Sequence, residues 1–266
     1  MTVARFYSQY AEDPFFNMAF DEWMFDQTLS GRIPFALRLY RWEPEAITIG
    51  LHQRQHRALD WSQADGAIVI RRVTGGRAVY HDRSELTYSV VADLASKSSP
   101  ILGGGITRSS TVIATALNHY VKAQGISSRQ VKMSSPDNGR PAFFHSAPCF
   151  ASRAKYELVE GQNKVVASAQ RRIGSALLQH GSIKLRGVPF HPALGGPESA
   201  YFGAAKPLSA EEFARTAACF AKTIGENLGI AFELSTLSSE EMMTVTRKAN
   251  EIKKNPLACR QLIKQT

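Results

Sequence analysis

Residues 71–82, RRVTGGRAVYHD, place three arginines, two adjacent glycines and a His-Asp pair within twelve positions. Arg71, Arg72 and Arg77 carry planar donor forks that match carboxylate, phosphate or amide oxygens. Gly75 and Gly76 permit positive φ and let another group come close to the backbone. Two chemistries suit this pattern: the wall of a pocket, or a β-hairpin corner with a solvated basic rim. Two phosphate-binding patterns are excluded. No Gly-Lys-Ser/Thr follows the glycines, and the third glycine of a dinucleotide fingerprint is missing.

Other reactive side chains are scattered. Cys149, Cys219 and Cys259 are odd in number and far apart, which fits neither a disulfide framework nor a zinc site and points to a reducing compartment. His52, His56, His119, His145 and His191 lack metal-ligand spacing, so no metal or other cofactor is expected. His180, in QHGS, suits a substrate contact or a hydrogen-bonded core position equally. Asn17 and Asp21 share one helix face at i and i+4, the arrangement of an internal polar anchor.

The surrounding elements read as α+β. A helix is predicted from Asp13 to about Leu29, with Phe16, Ala19, Phe20, Trp23 and Met24 on one stripe. Strands are predicted in FALRLYRW, AITIGL, GAIVIRRV, AVYH and LTYSVVA, with Glu43-Pro44-Glu45 turning between the first two. A glycine loop at 103–105 precedes a helix from about Thr107 that stops near Gly125. KYELVEGQNKVVASAQRR and ALLQHGSIKL supply three more strands. Beyond about residue 205 the chain is helical, with capping boxes at Ser209…Glu212 and Ser238…Glu241. Strands and helices do not alternate regularly, so helices packed on mixed or antiparallel sheets are expected, in one domain over 1–266.

Composition sets outer bounds. At 266 residues and 44% hydrophobic content, the chain can bury a sizeable core. The N-terminal stretch lacks a signal-peptide layout and no apolar run reaches membrane-spanning length, so a cytoplasmic location is expected, with no membrane partner. The formal net charge of +9 suits an acidic partner, or simply a basic soluble surface. Basic residues form no long run and no helix-turn-helix is visible, so nucleic acid is not an expected partner. No interface signature is visible either, and a monomer is expected.

RRVTGGRAVYHD resembles the glycine-turn signature of the biotin/lipoate protein ligase superfamily. NMAFDEWM is similar to that family's first helix, KVVASAQRR to its lysine-containing strand, and LLQHGSI to the next strand, in the family's order from about residue 12 to 185. The resemblance implies the superfamily's α+β catalytic domain. It also implies an acyl pocket lined by Arg71, Arg72, Thr74, Gly75, Gly76, Arg77, Ala78, His81, Ser168, Ala169 and His180. His81 and Asp82 match a His-Asp pair and are read as pocket-wall and turn-fixing residues. Two departures separate the branches. ATP-dependent lipoate ligases read Thr-Gly-Gly-Gly where this chain has Arg77, and they carry Asn-Asp where it has Cys149-Phe150. Both features resemble the cysteine-dependent octanoyltransferases. A further departure, Ala167 where a glycine is usual, adds one methyl to the pocket.

That resemblance implies an acyltransferase in which Cys149 forms a thioester with an octanoyl group and Lys164 serves as acid and base. A thiolate is required, and a neighbouring cation can lower a cysteine pKa from about 8.5 to roughly 3.5–7.5. The implied donor is octanoyl-acyl carrier protein. The implied acceptor is a lysine of a lipoyl-accepting protein, such as the H protein of glycine cleavage. An amidotransferase between protein lysines, an ATP-dependent ligase and a non-catalytic acyl or biotin sensor are the alternatives.

Overall fold

The computed structural model describes residues 3–96, 100–131, 157–161, 163–185, 187, 191–195 and 207–259. In chain order, strand β1 (Val3–Glu12) leads into helix α1 (Pro14–Leu29), strands β2 (Phe35–Trp42) and β3 (Ala46–Ile49) and the short α2 (Gln55–Ala58). Strands β4 (Val69–Arg71), β5 (Val79–His81) and β6 (Leu86–Asp93) follow, then α3 (Ile106–Ala123) and β7 (Arg129–Gln130). The remainder is β8 (Leu158–Glu160), β9 (Asn163–Ile173), β10 (Ala176–Ile183), α4 (Ala210–Leu228), β11 (Ala231–Leu234) and α5 (Ser239–Lys254). Both predicted capping boxes close as drawn from the sequence, at Ser209–Glu212 and Ser238–Glu241.

The described strands form two sheets. The larger has the order β11-β1-β2-β6-β10-β9-β8-β7, and the smaller β4-β3-β5. Pairing is parallel at β11-β1-β2 and antiparallel from β2 through β7, so the large sheet is mixed. Strand alternation splits its residues between two cores. Phe35, Leu37 and Leu39 of β2, with Leu86, Tyr88 and Val90 of β6, face Ile113 and Leu117 of α3 and Phe220 and Ile224 of α4. Ala36, Tyr40, Trp42 and Val91 face the opposite way, toward α1, α5 and Ile70 of the small sheet. Covered on both faces, β2 is buried along its whole length.

Several elements depart from expectation. The predicted single stripe on α1 is too narrow: the helix lies between the sheet and α5, and 11 of its 16 residues are buried, Asn17, Asp21 and Glu22 among them. Strands β1 and β11 were not predicted. β11 is four residues long and is ordered by parallel pairing with Val3–Phe6, more than two hundred positions away, so no local turn signal marks it. No helix among the described residues is long and apolar enough to cross a membrane.

Candidate active site

Strand register builds the floor of the site. Residues directly opposite one another share a face, so Tyr40, Thr87, Ser182 and Ala167 form one row across β2, β6, β10 and β9, and Arg38, Ser89, His180 and Ala169 form the next. The small sheet lies over these rows. Between the two sheets is a cavity with about 420 Å³ unfilled by protein atoms, open solvent at its mouth included. The large sheet contributes Tyr40, Trp42, Thr87, Ala167, Ala169 and His180. Met18 comes from α1, and Thr48, Arg72, Gly76, Val79 and His81 from the opposite wall.

The glycine turn forms part of that wall. Gly76 adopts φ +91°, in the left-handed region, and a Cβ there would stand 2.7 Å from Arg72 Nη2. The Arg72 guanidinium donates from Nη2 to the carbonyls of Gly75 (2.7 Å) and Arg77 (2.8 Å), and from Nη1 to Thr48 O and Oγ1 (3.2 and 3.1 Å). Arg71 donates from Nη1 to the carbonyls of Gly50, Leu51 and Gln53, and from Nε to Leu257 O at 2.8 Å. Arg171 donates to Val73 O at 2.9 Å. The Arg71 and Arg72 forks read from the sequence thus take the protein's own carbonyls and hold the turn in shape. Gly50 has no space for a side chain, because a Cβ would lie 2.0 Å from Gly76 O. Gly50→Ala is therefore expected to push the turn off its seat, costing about 1–3 kcal/mol in urea unfolding.

Two buried polar chains flank the cavity. Asp21 accepts from Arg38 Nη1 (2.8 Å), Tyr40 Oη (2.9 Å) and His180 Nδ1 (2.9 Å), while His180 Nε2 lies 2.6 Å from Thr74 Oγ1. Burial works against the Asp21 charge, but the His180 hydrogen bond and the Arg38 cation outweigh it and lower its pKa. On the other side, His81 Nδ1 meets Glu85 Oε1 and Nε2 meets Thr48 Oγ1, both at 2.8 Å, and the ring stacks on Trp42 at 4.0 Å. Lys184 Nζ bridges Asp82 (2.5 Å) and Glu85 (2.6 Å). Burial raises Glu85, but His81 and Lys184 prevail and hold it down to about 2. Asp82 also accepts from the Ser84 N–H at 2.7 Å, the turn-fixing part read from the sequence.

Of the residues predicted to line the pocket, Arg72, Gly76, His81, Ser168, Ala169 and His180 do so. Arg71, Thr74, Gly75, Arg77 and Ala78 are not on the cavity wall; Ala78 packs with Ile47 and Ile49 between small-sheet neighbours. The Ser168 hydroxyl pairs at 2.7 Å with Tyr88, a residue of the α3-side core. Lys164 is buried, off the cavity wall, with Nζ 2.8 Å from Glu157 Oε1. Cys149 lies outside the described residues. Glu157 was not singled out from the sequence, where it reads as one alternating position of a strand. Tyr40, Trp42, Thr48 and Thr87 were also missed, since only cross-strand register brings them to one wall. Cys219 is partly exposed on α4, away from the cavity.

The fold and sequence both have relatives. A lipoate-protein ligase A crystallised with ATP superposes with a TM-score of 0.67 at 20% identity, covering 96% of this chain and 95% of that one. A bipartite lipoate protein ligase of Thermoplasma acidophilum gives 0.63 at 18% identity, covering 96% and 93%. These likenesses establish the fold. An octanoyltransferase LipM of Kyrpidia tusciae is 41% identical over 172 residues, covering 64% of this chain and 61% of that protein. That of Moorella thermoacetica is 39% identical over 175 residues, covering 65% and 62%. The chain thus spans about three fifths of the length of the curated relatives it matches. The model of the lipoyl protein ligase A/B catalytic domain matches residues 13–191, the span that contains the glycine turn, both buried polar chains and the cavity, and the chain belongs to that family.

Proposed function

We propose that this chain is an acyltransferase that moves an octanoyl group from octanoyl-acyl carrier protein to a lysine of a lipoyl-accepting protein, through a thioester on Cys149. The observation that carries the reading is the 41% identity to a protein named as an octanoyltransferase. The cavity supports it in kind. Its accessible wall surface is mainly apolar, and each buried methylene of an acyl chain contributes about 0.8 kcal/mol.

The chemistry needs no nucleotide, because a thioester donor is already activated. The Cys149 thiolate attacks the octanoyl carbonyl carbon and the carrier's thiolate leaves. The acceptor amine then attacks the new thioester, an amide forms, and the Cys149 thiolate is released. Lys164 is the group we assign to proton transfer, protonating the departing carrier thiol and taking the proton lost by the amine. Glu157, 2.8 Å away, fixes its position. The N–H of Gly76, a residue of the cavity wall, makes no hydrogen bond among the described residues, and it suits the oxygen of the tetrahedral intermediate. The net charge of +9 favours encounter with acidic carrier and acceptor proteins. A monomer acting in the cytoplasm, with the H protein of glycine cleavage as acceptor, completes the proposal.

Incubation with octanoyl-carrier protein in the absence of ATP is expected to give an octanoyl adduct on the peptide containing Cys149. The adduct should discharge when the acceptor is added, as read by mass spectrometry. Transfer that strictly requires ATP would overturn the proposal in favour of a ligase. Loading only from octanoylated acceptor protein would overturn it in favour of an amidotransferase.

A further inference from the structure

Thr74 is fully buried within the glycine turn and does not reach the cavity wall. Its hydroxyl nevertheless makes one of the shorter polar contacts of the site, 2.6 Å to His180 Nε2. The far side of that ring is fixed: Nδ1 lies 2.9 Å from Asp21 Oδ2, and Asp21 is in turn held by Arg38 and Tyr40. An ionised carboxylate only accepts hydrogen bonds, so Nδ1 must carry the proton. On the other side of the ring, Nε2 and the Thr74 hydroxyl share the 2.6 Å hydrogen bond. A continuous chain therefore runs from α1, through β10, to the loop that roofs the cavity.

We propose that His180 is a positioning residue: oriented by Asp21, it holds the Thr74 hydroxyl and so sets the height of the Thr-Gly-Gly backbone over the sheet. Arg72 braces the same turn from the other side, through the carbonyls of Gly75 and Arg77. The Gly75 carbonyl shares its peptide plane with the Gly76 N–H, so with that carbonyl engaged by Arg72 and Thr74 anchored by His180 the plane has little freedom to rotate. The Gly76 amide donor is thereby pre-set for developing negative charge, which is where fixed dipoles act most strongly. This catalytic consequence rests on the acyl-transfer reading; the anchoring of the turn does not.

The test compares Thr74→Val, which keeps the shape and deletes the hydroxyl, with Thr74→Ser, which restores it, and with His180→Asn, which keeps a donor for Asp21 and withdraws the Nε2 partner of Thr74. Thr74→Val and His180→Asn are each expected to lower kcat for octanoyl transfer roughly 10- to 100-fold, with KM for the octanoyl carrier changed less than about threefold. Thr74→Ser should recover most of the rate. The double variant should be no slower than the worse single one, because both changes break the same bond. In the protein without substrate, amide hydrogen exchange in residues 72–78 should quicken in Thr74→Val and not in Thr74→Ser. Wild-type kcat in Thr74→Val, or losses that multiply in the double variant, would overturn the proposal. If the wild-type protein transfers no octanoyl group, the acyl-transfer reading fails, and exchange in residues 72–78 still decides: protection unchanged by Thr74→Val refutes the anchoring.

Discussion

Under the proposed mechanism, Cys149→Ala is expected to lower octanoyl transfer by at least about a thousand-fold, because that mechanism rests the acyl chain on Cys149 between donor and acceptor. The side chain removed is small, so unfolding in urea should be nearly unchanged. Lys164→Met provides the companion measurement. It deletes the ammonium with little loss of apolar volume, but leaves the buried Glu157 carboxylate without the cation 2.8 Å away. Part of its effect will therefore appear as stability, since removing the cation beside a buried carboxylate costs free energy. Lys164→Met combined with Glu157→Leu separates the two contributions. Stability should largely return in the double variant, whereas transfer should not. If transfer returns with stability, Lys164 has no role in moving protons. Single-turnover assays with octanoyl-carrier protein, per folded molecule, give both readings.

How much of this was legible without coordinates depended on how local each signal is. Helix α1 announced itself through periodicity, and the two C-terminal helices through capping boxes satisfied within four residues. The RRVTGG stretch showed which donor types and backbone freedoms the turn needs. It did not show that Arg71 and Arg72 direct those donors at carbonyls of residues 48, 50, 51, 53, 75, 77 and 257. Acceptors contributed by backbone carry no sequence signature. The same blindness applies to the cavity. Tyr40, Thr87, Ser182 and Ala167 meet because four strands pair in a particular register, and a slip of one residue would turn each to the opposite core. Asn17 and Asp21 were readable as a polar anchor from their spacing, while their partner Arg38 stood in an ordinary strand pattern. Its complete burial is a tertiary fact.

Asp21→Ala is expected to cost about 3–5 kcal/mol, the range for leaving a buried cation without its counter-ion. Asp21 and Arg38 are both essentially inaccessible, at 1% and 0% exposure, and 2.8 Å apart. Arg38 also lies over the rings of Tyr40 (3.8 Å) and Phe20 (4.3 Å) and donates to Gln9 and Asn17. Those contacts keep the guanidinium inside the core even when the carboxylate is gone, so the penalty is not relieved by escape to solvent. Adding Arg38→Met should recover a large part of the loss, since an apolar pair tolerates this environment better than a lone charge. The pH dependence follows from the lowered pKa of Asp21. A carboxylate depressed in the folded state stabilises fully above its unfolded pKa of about 3.9, and that stabilisation is lost as pH falls through the folded value. The wild-type protein should accordingly show a steeper fall in unfolding free energy below pH ~4 than Asp21→Asn, whose amide does not titrate. Equal acid slopes in urea unfolding from pH 5 to pH 3 would show that the Asp21 charge is not what holds Arg38 in the core. A small loss in Asp21→Ala with full transfer activity would, in addition, cut the chain from α1 through His180 to the glycine turn.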